Sequence, residues 1–99
     1  MAKRNINYNV IENYGTLSTK EFDRTDWENP TERVHVKKTK EVRKVSWNGG
    51  APKIEIREWE TINGVEKPAA DGVKMTFTDE EWDAFLFLLG QIEPEEEAM

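Results

Sequence analysis

The spacing of apolar residues along this chain changes at Thr78, from every second position to every third or fourth, which sets strands first and one helix last. Before it, Lys53-Ile54-Glu55-Ile56-Arg57-Glu58-Trp59 puts Ile54 and Ile56 on one side of a strand and Lys53, Glu55, Arg57 and Trp59 on the other. After it, Trp82, Phe85, Leu86 and Leu89 form one helical stripe, and Phe87, Leu88 and Ile92 widen it beyond a single face. Thr78 with Glu81 three positions on is a capping box, and Asp79 and Glu80 complement the positive end of the helix dipole.

Three further strands are predicted. Ile6 to Ser18 alternates with β-favouring residues, with Gly15 marking a bulge or bend. Arg33 to Trp47 carries β-branched residues and ends at Asn48-Gly49, the strongest short hairpin signal. Val73 to Phe77 alternates again, after a turn at Asn63-Gly64 and a loop opened by Pro68. Between the first two strands, Thr19 to Thr31 holds Asp23, Asp26, Asn29 and Pro30, which predicts a loop, with Phe22 and Trp27 folding it back. The expected fold is α+β: a four-stranded antiparallel sheet followed by one C-terminal helix. With 99 residues there is room for one domain, taken as 1–92, with 93–99 a disordered acidic tail. A thin core and a helix apolar over more than half its girth both call for a second copy of the chain.

The charge is polarised. Residues 79 to 99 hold eight acids and no base, leaving fourteen bases against twelve acids elsewhere, although the whole chain carries −6. Residues 33 to 57 hold eight bases against two acids, a local field that draws a polyanion. The sequence has no cysteine, which excludes disulfides, thiolate metal sites and a thiol nucleophile. His35 is the only histidine and lies on a lysine-rich strand, Ser18 and Ser46 sit in no nucleophile motif, and Asn48-Gly49-Gly50 has no Lys-Ser/Thr or helix behind it. The reading is therefore non-enzymatic, without metal or cofactor. Met1 to Asn5 leads into polar residues, so no signal peptide or membrane anchor is expected and cytoplasm is the default.

Binding a single strand without reading its sequence needs cations for phosphates and flat aromatics for bases. Lys53, Arg57 and Trp59 supply both, at spacings of about 14 Å and 7 Å on one side of the third strand. The competing reading is an ordinary solvated face with Trp59 covered by the Thr19 to Thr31 loop. If Val45 and Trp47 point inward beside Ile54 and Ile56, then Lys44, Ser46 and Lys40 share the open face with Arg57. Val34, Val36 and Val42 have the opposite parity to Val45, which a bulge would reconcile. By parity Trp47 then belongs in the core.

Val45-Ser46-Trp47-Asn48-Gly49, Pro52-Lys53-Ile54-Glu55-Ile56-Arg57-Glu58-Trp59, Lys67-Pro68 and Met75-Thr76-Phe77-Thr78-Asp79-Glu80-Glu81-Trp82 together resemble the C-terminal domain of transcriptional positive cofactor four, most closely its bacterial YdbC-like branch. The resemblance covers about half the chain well, from Val42 to Ile92, and the first strand more loosely. It implies a curved four-stranded sheet backed by the helix, an intertwined homodimer, and single-stranded DNA held in grooves on the sheets during transcription, replication or repair. Position by position it implies that Lys53, Arg57 and Trp59 line the groove, with Lys44 and Ser46 alongside and Lys67 on the adjoining loop. Lys40 joins this set from the parity reading. Phe22 to Lys38 is longer than the bacterial pattern, and Asp71 stands where eukaryotic relatives are more basic. DNA and RNA stay open as ligands, since stacking platforms accept either. Transcription or replication proteins are further candidate partners. The rival function is a protein-interaction module working through the acidic helix and tail.

Overall fold

The computed structural model describes residues 7–93, so the proposed tail lies, apart from Glu93, outside the described residues. The chain runs β1 (Tyr8–Thr25), β2 (Arg33–Trp47), β3 (Lys53–Ile62), β4 (Val65–Pro68), β5 (Lys74–Phe77) and α1 (Asp79–Leu89). All strand pairs are antiparallel. The sheet is thus the expected four strands plus a fifth, and the helix follows it.

β4 and β5 share one edge of β3: β4 pairs with Trp59–Ile62 and β5 with Ile54–Arg57. Between them the loop is stitched to Glu58, whose N–H donates to Val73 O at 3.0 Å and whose carbonyl accepts from Ala69 N at 3.0 Å. Gly72 has a φ of 104°, and a Cβ there would strike the Glu58 carboxylate, so this position requires glycine. β4 and β5 thus act as one edge strand with an excursion in the middle, which is why only its second half reads as a strand in sequence.

The turns follow their chemistry. Asn48-Gly49 and Asn63-Gly64 all have positive φ, as the two central residues of a type I′ hairpin turn require. The first strand is longer than expected: Thr19 to Thr25 is strand, not loop. Asp23, read as loop chemistry, is opposed across the ladder by His35, and Glu21 by Lys37, so β2 gives this stretch a reason to extend. The true connection begins at Asp26, whose Oδ1 accepts from Glu28 N and whose N–H donates to Glu32 O. Phe22 is half-buried opposite Val36, but Trp27 does not fold back: it is 81% exposed beneath the Arg24 guanidinium. Register shifts lie at Val10/Glu12, Asn13/Gly15 and Thr16/Ser18, so the expected irregularity at Gly15 is present and β1 has two more.

Thr78 caps α1 as expected, its Oγ1 accepting from Glu81 N while Glu81 Oε1 accepts from Thr78 N. Phe77, Trp82 and Phe85 form one aromatic cluster, with centroid separations of 5.2 to 5.6 Å, that fastens the helix to the end of β5. Phe77 is paired with Ile54, so α1 lies on the Ile54/Ile56 side of the sheet. No residue of α1 is buried, and Leu86, Phe87, Leu88 and Ile92 are at least half exposed. The radius of gyration, 16.8 Å, exceeds the roughly 13 Å of a compact chain of this size. No helix among the described residues is long and apolar enough to cross a membrane.

Candidate nucleic-acid interface

The continuous β2–β3 register, from Val36↔Ile62 to Val45↔Lys53, sorts side chains into two sets. Thr39, Glu41, Arg43 and Val45 share a face with Trp59, Arg57, Glu55 and Lys53; Tyr8, opposite Trp47, belongs to the same face. Lys40 and Lys44 oppose Glu58 and Ile54 and share the face covered by the helix. There is no bulge between β2 and β3, so the expectation that Lys40, Lys44 and Ser46 lie beside Arg57 is overturned: the irregularities fall on β1 instead. Ser46 donates to Gly50 O at 2.6 Å within the turn. Lys67 pairs across the ladder with Glu60, its Nζ 3.6 Å from Glu60 Oε1, and is likewise on the helix side. Of the seven residues expected to line a groove, only Lys53, Arg57 and Trp59 lie on the face that the helix leaves free.

Trp59 itself is corrected. It was expected bare to solvent, yet it is fully buried. Neither the helix nor the β1–β2 connection covers it. Its cover comes from its own face: Tyr8 at 5.4 Å, Trp47 stacked at 6.3 Å with planes 17° apart, and the Arg43 guanidinium 4.5 Å over the ring. Trp47, expected in the core, instead joins this face and is half-buried. The free face is concave, and its floor is filled by side chains that alternation alone counts as exposed.

What lines the rim differs from the expected set. The Arg57 guanidinium lies 4.4 Å over Trp47 on a side chain only 15% exposed, not bare as expected, and Tyr8, 36% exposed, is 5.3 Å from the same indole. Glu55 holds this arrangement in place. Its carboxylate, 1% exposed, accepts from Arg57 Nε at 2.8 Å, Arg57 Nη2 at 3.1 Å and Trp47 Nε1 at 2.9 Å. One buried anion therefore orients both the cation and the aromatic. Lys53 is exposed beside them, at a cleft of about 230 Å³ lined by Val45, Trp47, Gly50, Ala51, Lys53 and Thr76. A larger concavity of about 610 Å³, lined by Trp27, Val34, Ile62 and Lys67 among others, lies away from Arg57 and Trp47 and has neither of them in its wall.

A second cation sits deeper on this face. Arg43 is 5% exposed, donates from Nη1 and Nη2 to the two oxygens of Glu66 at 2.8 and 3.1 Å, and from Nη2 to Glu41 at 3.2 Å. Burial disfavours its charge, but Glu66 and then Glu41 outweigh burial and hold its pKa above the ordinary arginine value. Among the described residues, three buried polar atoms here have no partner: Glu41 Oε2, Arg43 Nε and Trp59 Nε1. Sequence reasoning missed Tyr8, Trp47 and Arg43. The usable signal was the β2–β3 register, which follows from the Asn48-Gly49 turn once both strands are taken as unbroken.

Comparison with known protein families, with curated proteins and with solved structures found no match to this chain.

Proposed function

We propose that this protein binds single-stranded nucleic acid with little sequence preference, along the concave face that α1 leaves free. The observation that carries the reading is Arg57 packed on Trp47 at 4.4 Å, with Lys53 at the adjoining cleft. The guanidinium laid on the indole offers a phosphate the Nη1 and Nη2 donors that Glu55 does not use, and a base a flat surface, in one preorganised unit. Because Glu55 already fixes both side chains, little rotamer freedom remains to be lost on binding. Trp59 supports this unit from beneath and is not a contact residue. The resemblance to the positive cofactor four family points the same way and adds a role in transcription, replication or repair.

The working form in this proposal is a homodimer. Leu86, Phe87, Leu88, Leu89 and Ile92 are all exposed, so apolar strips on more than one side of the helix stand uncovered by its own sheet. Joining two strips buries what one sheet cannot.

Arg57→Lys tests the nucleic-acid reading, since it keeps the charge near Glu55 but removes the planar fork. Affinity for oligo(dT) should fall on the order of tenfold, one stacking contact being worth about 1–3 kcal/mol. Unchanged affinity, with binding otherwise intact, would remove Arg57 and Trp47 from the site.

The same exposed helix and its acidic first turn, Asp79, Glu80 and Glu81, favour a second reading, a protein-interaction module. Deleting residues 94–99 separates the two: DNA binding is kept or rises under the first reading, because removing acids cannot weaken a phosphate contact. Loss of a protein partner with no effect on DNA supports the second.

A further inference from the structure

Two arginines lie on two stacked indoles of the concave face, and they are held in different ways. Arg57 is clamped by Glu55, which is 1% exposed and also anchors Trp47, so that carboxylate cannot leave without dismantling the site. Arg43 is clamped mainly by Glu66, which is 43% exposed and stands on β4, a strand of four residues. Arg43 also faces two carboxylates, Glu66 and Glu41, so it would stay paired if Glu66 swung out. The cluster therefore carries one anion more than its cation needs, and that surplus disfavours the closed arrangement. Its polar atoms are incompletely matched too, with Arg43 Nε and Glu41 Oε2 buried and without a partner among the described residues.

We infer that Glu66 is an intramolecular stand-in for a nucleic-acid phosphate, occupying the Arg43 fork until a phosphate displaces it. The geometry of the pair is that of phosphate recognition: two parallel N–H···O bonds, at 2.8 and 3.1 Å, from one guanidinium edge to two oxygens of one anion. Displacement never leaves Arg43 unpaired, because one bidentate anion replaces another and Glu41 stays, which avoids the large penalty of an orphaned buried charge. The released carboxylate returns to water, where its charge is well solvated. Glu66 thereby weakens binding of any strand that cannot place a phosphate over Arg43, and it adds a second anchoring point beneath Arg57 for one that can. This regulation rests on the nucleic-acid reading of the same face, but the anion pocket it describes can be probed without nucleic acid.

The test uses the full chain and Glu66→Gln, whose amide still accepts from Arg43 and keeps β4 packed. Inorganic phosphate is titrated at millimolar concentration while the Arg43 Nε–Hε resonance is followed, and oligo(dT) binding is measured as a function of salt. In the variant, phosphate should shift the Arg43 resonance where it leaves the wild type unmoved. Oligo(dT) should bind on the order of tenfold more tightly at each salt concentration, because the same phosphate reaches Arg43 with no carboxylate to displace. A phosphate-silent Arg43 in the variant overturns the inference. So does unchanged oligo(dT) affinity when the wild type binds, and the nucleic-acid reading survives that result. If neither form binds oligo(dT) while Arg43 of the variant answers to phosphate, the anion pocket stands and the nucleic-acid reading falls. Should Glu66→Gln unfold, Glu66→Asp retains the charge but shortens its reach, and an intermediate gain in phosphate response is expected.

Discussion

Trp47 stacks on Trp59 with ring centroids 6.3 Å apart, although Trp59 is paired across the ladder with Thr39, eight positions from Trp47 on β2. In a straight strand eight residues span about 27 Å. The contact therefore measures how sharply β2 and β3 bend toward their shared face. That bend turns a nominally exposed row into a concavity with a buried floor, and it leaves Arg57 and Lys53 at the rim. The two indoles thus have different duties, one supporting and one presenting.

Trp59→Ala should act on folding before it acts on binding. Removing a fully buried indole costs about 3–5 kcal/mol, a large share of the roughly 5–15 kcal/mol that holds a domain folded. Thermal denaturation should show a Tm lower by tens of degrees or no cooperative transition, and Trp59→Phe should recover part of it. A Trp59→Ala chain with wild-type Tm would mean that this ring is not part of the core.

The helix cap makes a smaller, cleaner prediction. Thr78→Ala removes the hydroxyl that accepts from Glu81 N, at a cost of about 1 kcal/mol. For a domain of this size that lowers Tm by about 4–8 °C, read by calorimetry. A larger loss would implicate Thr78 in more than capping.

The end of the β1–β2 ribbon should respond to pH. Protonated His35 donates from Nε2 to Glu21 at 3.0 Å and from Nδ1 to Asp23 at 2.8 Å, whereas the neutral ring has one N–H for two carboxylates. The hydrogen bond to Glu21, followed by that to Asp23, raises its pKa above 6.5. Arg33, which donates to the Asp23 carbonyl, and Lys37 are the cations on the same stretch of strand. Because the folded pKa is the higher one, the added stability is complete below about pH 6.5 and is lost as pH rises through the raised value. An NMR titration of the His35 ring should give a value above 6.5 in the wild type, falling toward it in Glu21→Gln. Equal values in both would dismiss the clasp.

Self-association should depend on the helix. Phe87→Glu combined with Ile92→Glu places charge on a strip that is 69% and 68% exposed at these positions. Light scattering should give the wild type a mass of twice 11.5 kDa and the variant a single copy. A monomeric wild type would refute the dimer.

Strands, turns and the capped helix were legible because each has a local cause: alternation, two Asn-Gly pairs, and Thr78 with Glu81. The site was legible only in part. Lys53 and Arg57 lie where alternation puts them, on the face away from α1. Curvature is not a local property, so nothing between residues 53 and 59 discloses that Trp59 is buried beneath Tyr8 and Trp47. The placement of Lys40, Lys44 and Ser46 failed for a related reason. The valines at 34, 36 and 42 and the valine at 45 lie on opposite faces of β2, because each face buries something, and an imagined bulge was needed only while one face was taken to be bare. β4 was missed because Glu58 and the loop through Gly72 interrupt the edge it belongs to.

The central claim is that the face carrying Lys53 binds the strand and the face carrying Lys44 does not. Lys44 opposes Ile54 and Lys53 opposes Val45 on the same two strands, so Lys53→Glu and Lys44→Glu change the net charge equally and differ in side. Both should be titrated with fluorescent oligo(dT) at about 50 mM salt, where binders with few phosphate contacts still register. The account predicts that the wild type binds, that Lys53→Glu loses at least about tenfold, and that Lys44→Glu stays within about threefold. Equal losses in the two variants, or a wild type that does not bind, would contradict it.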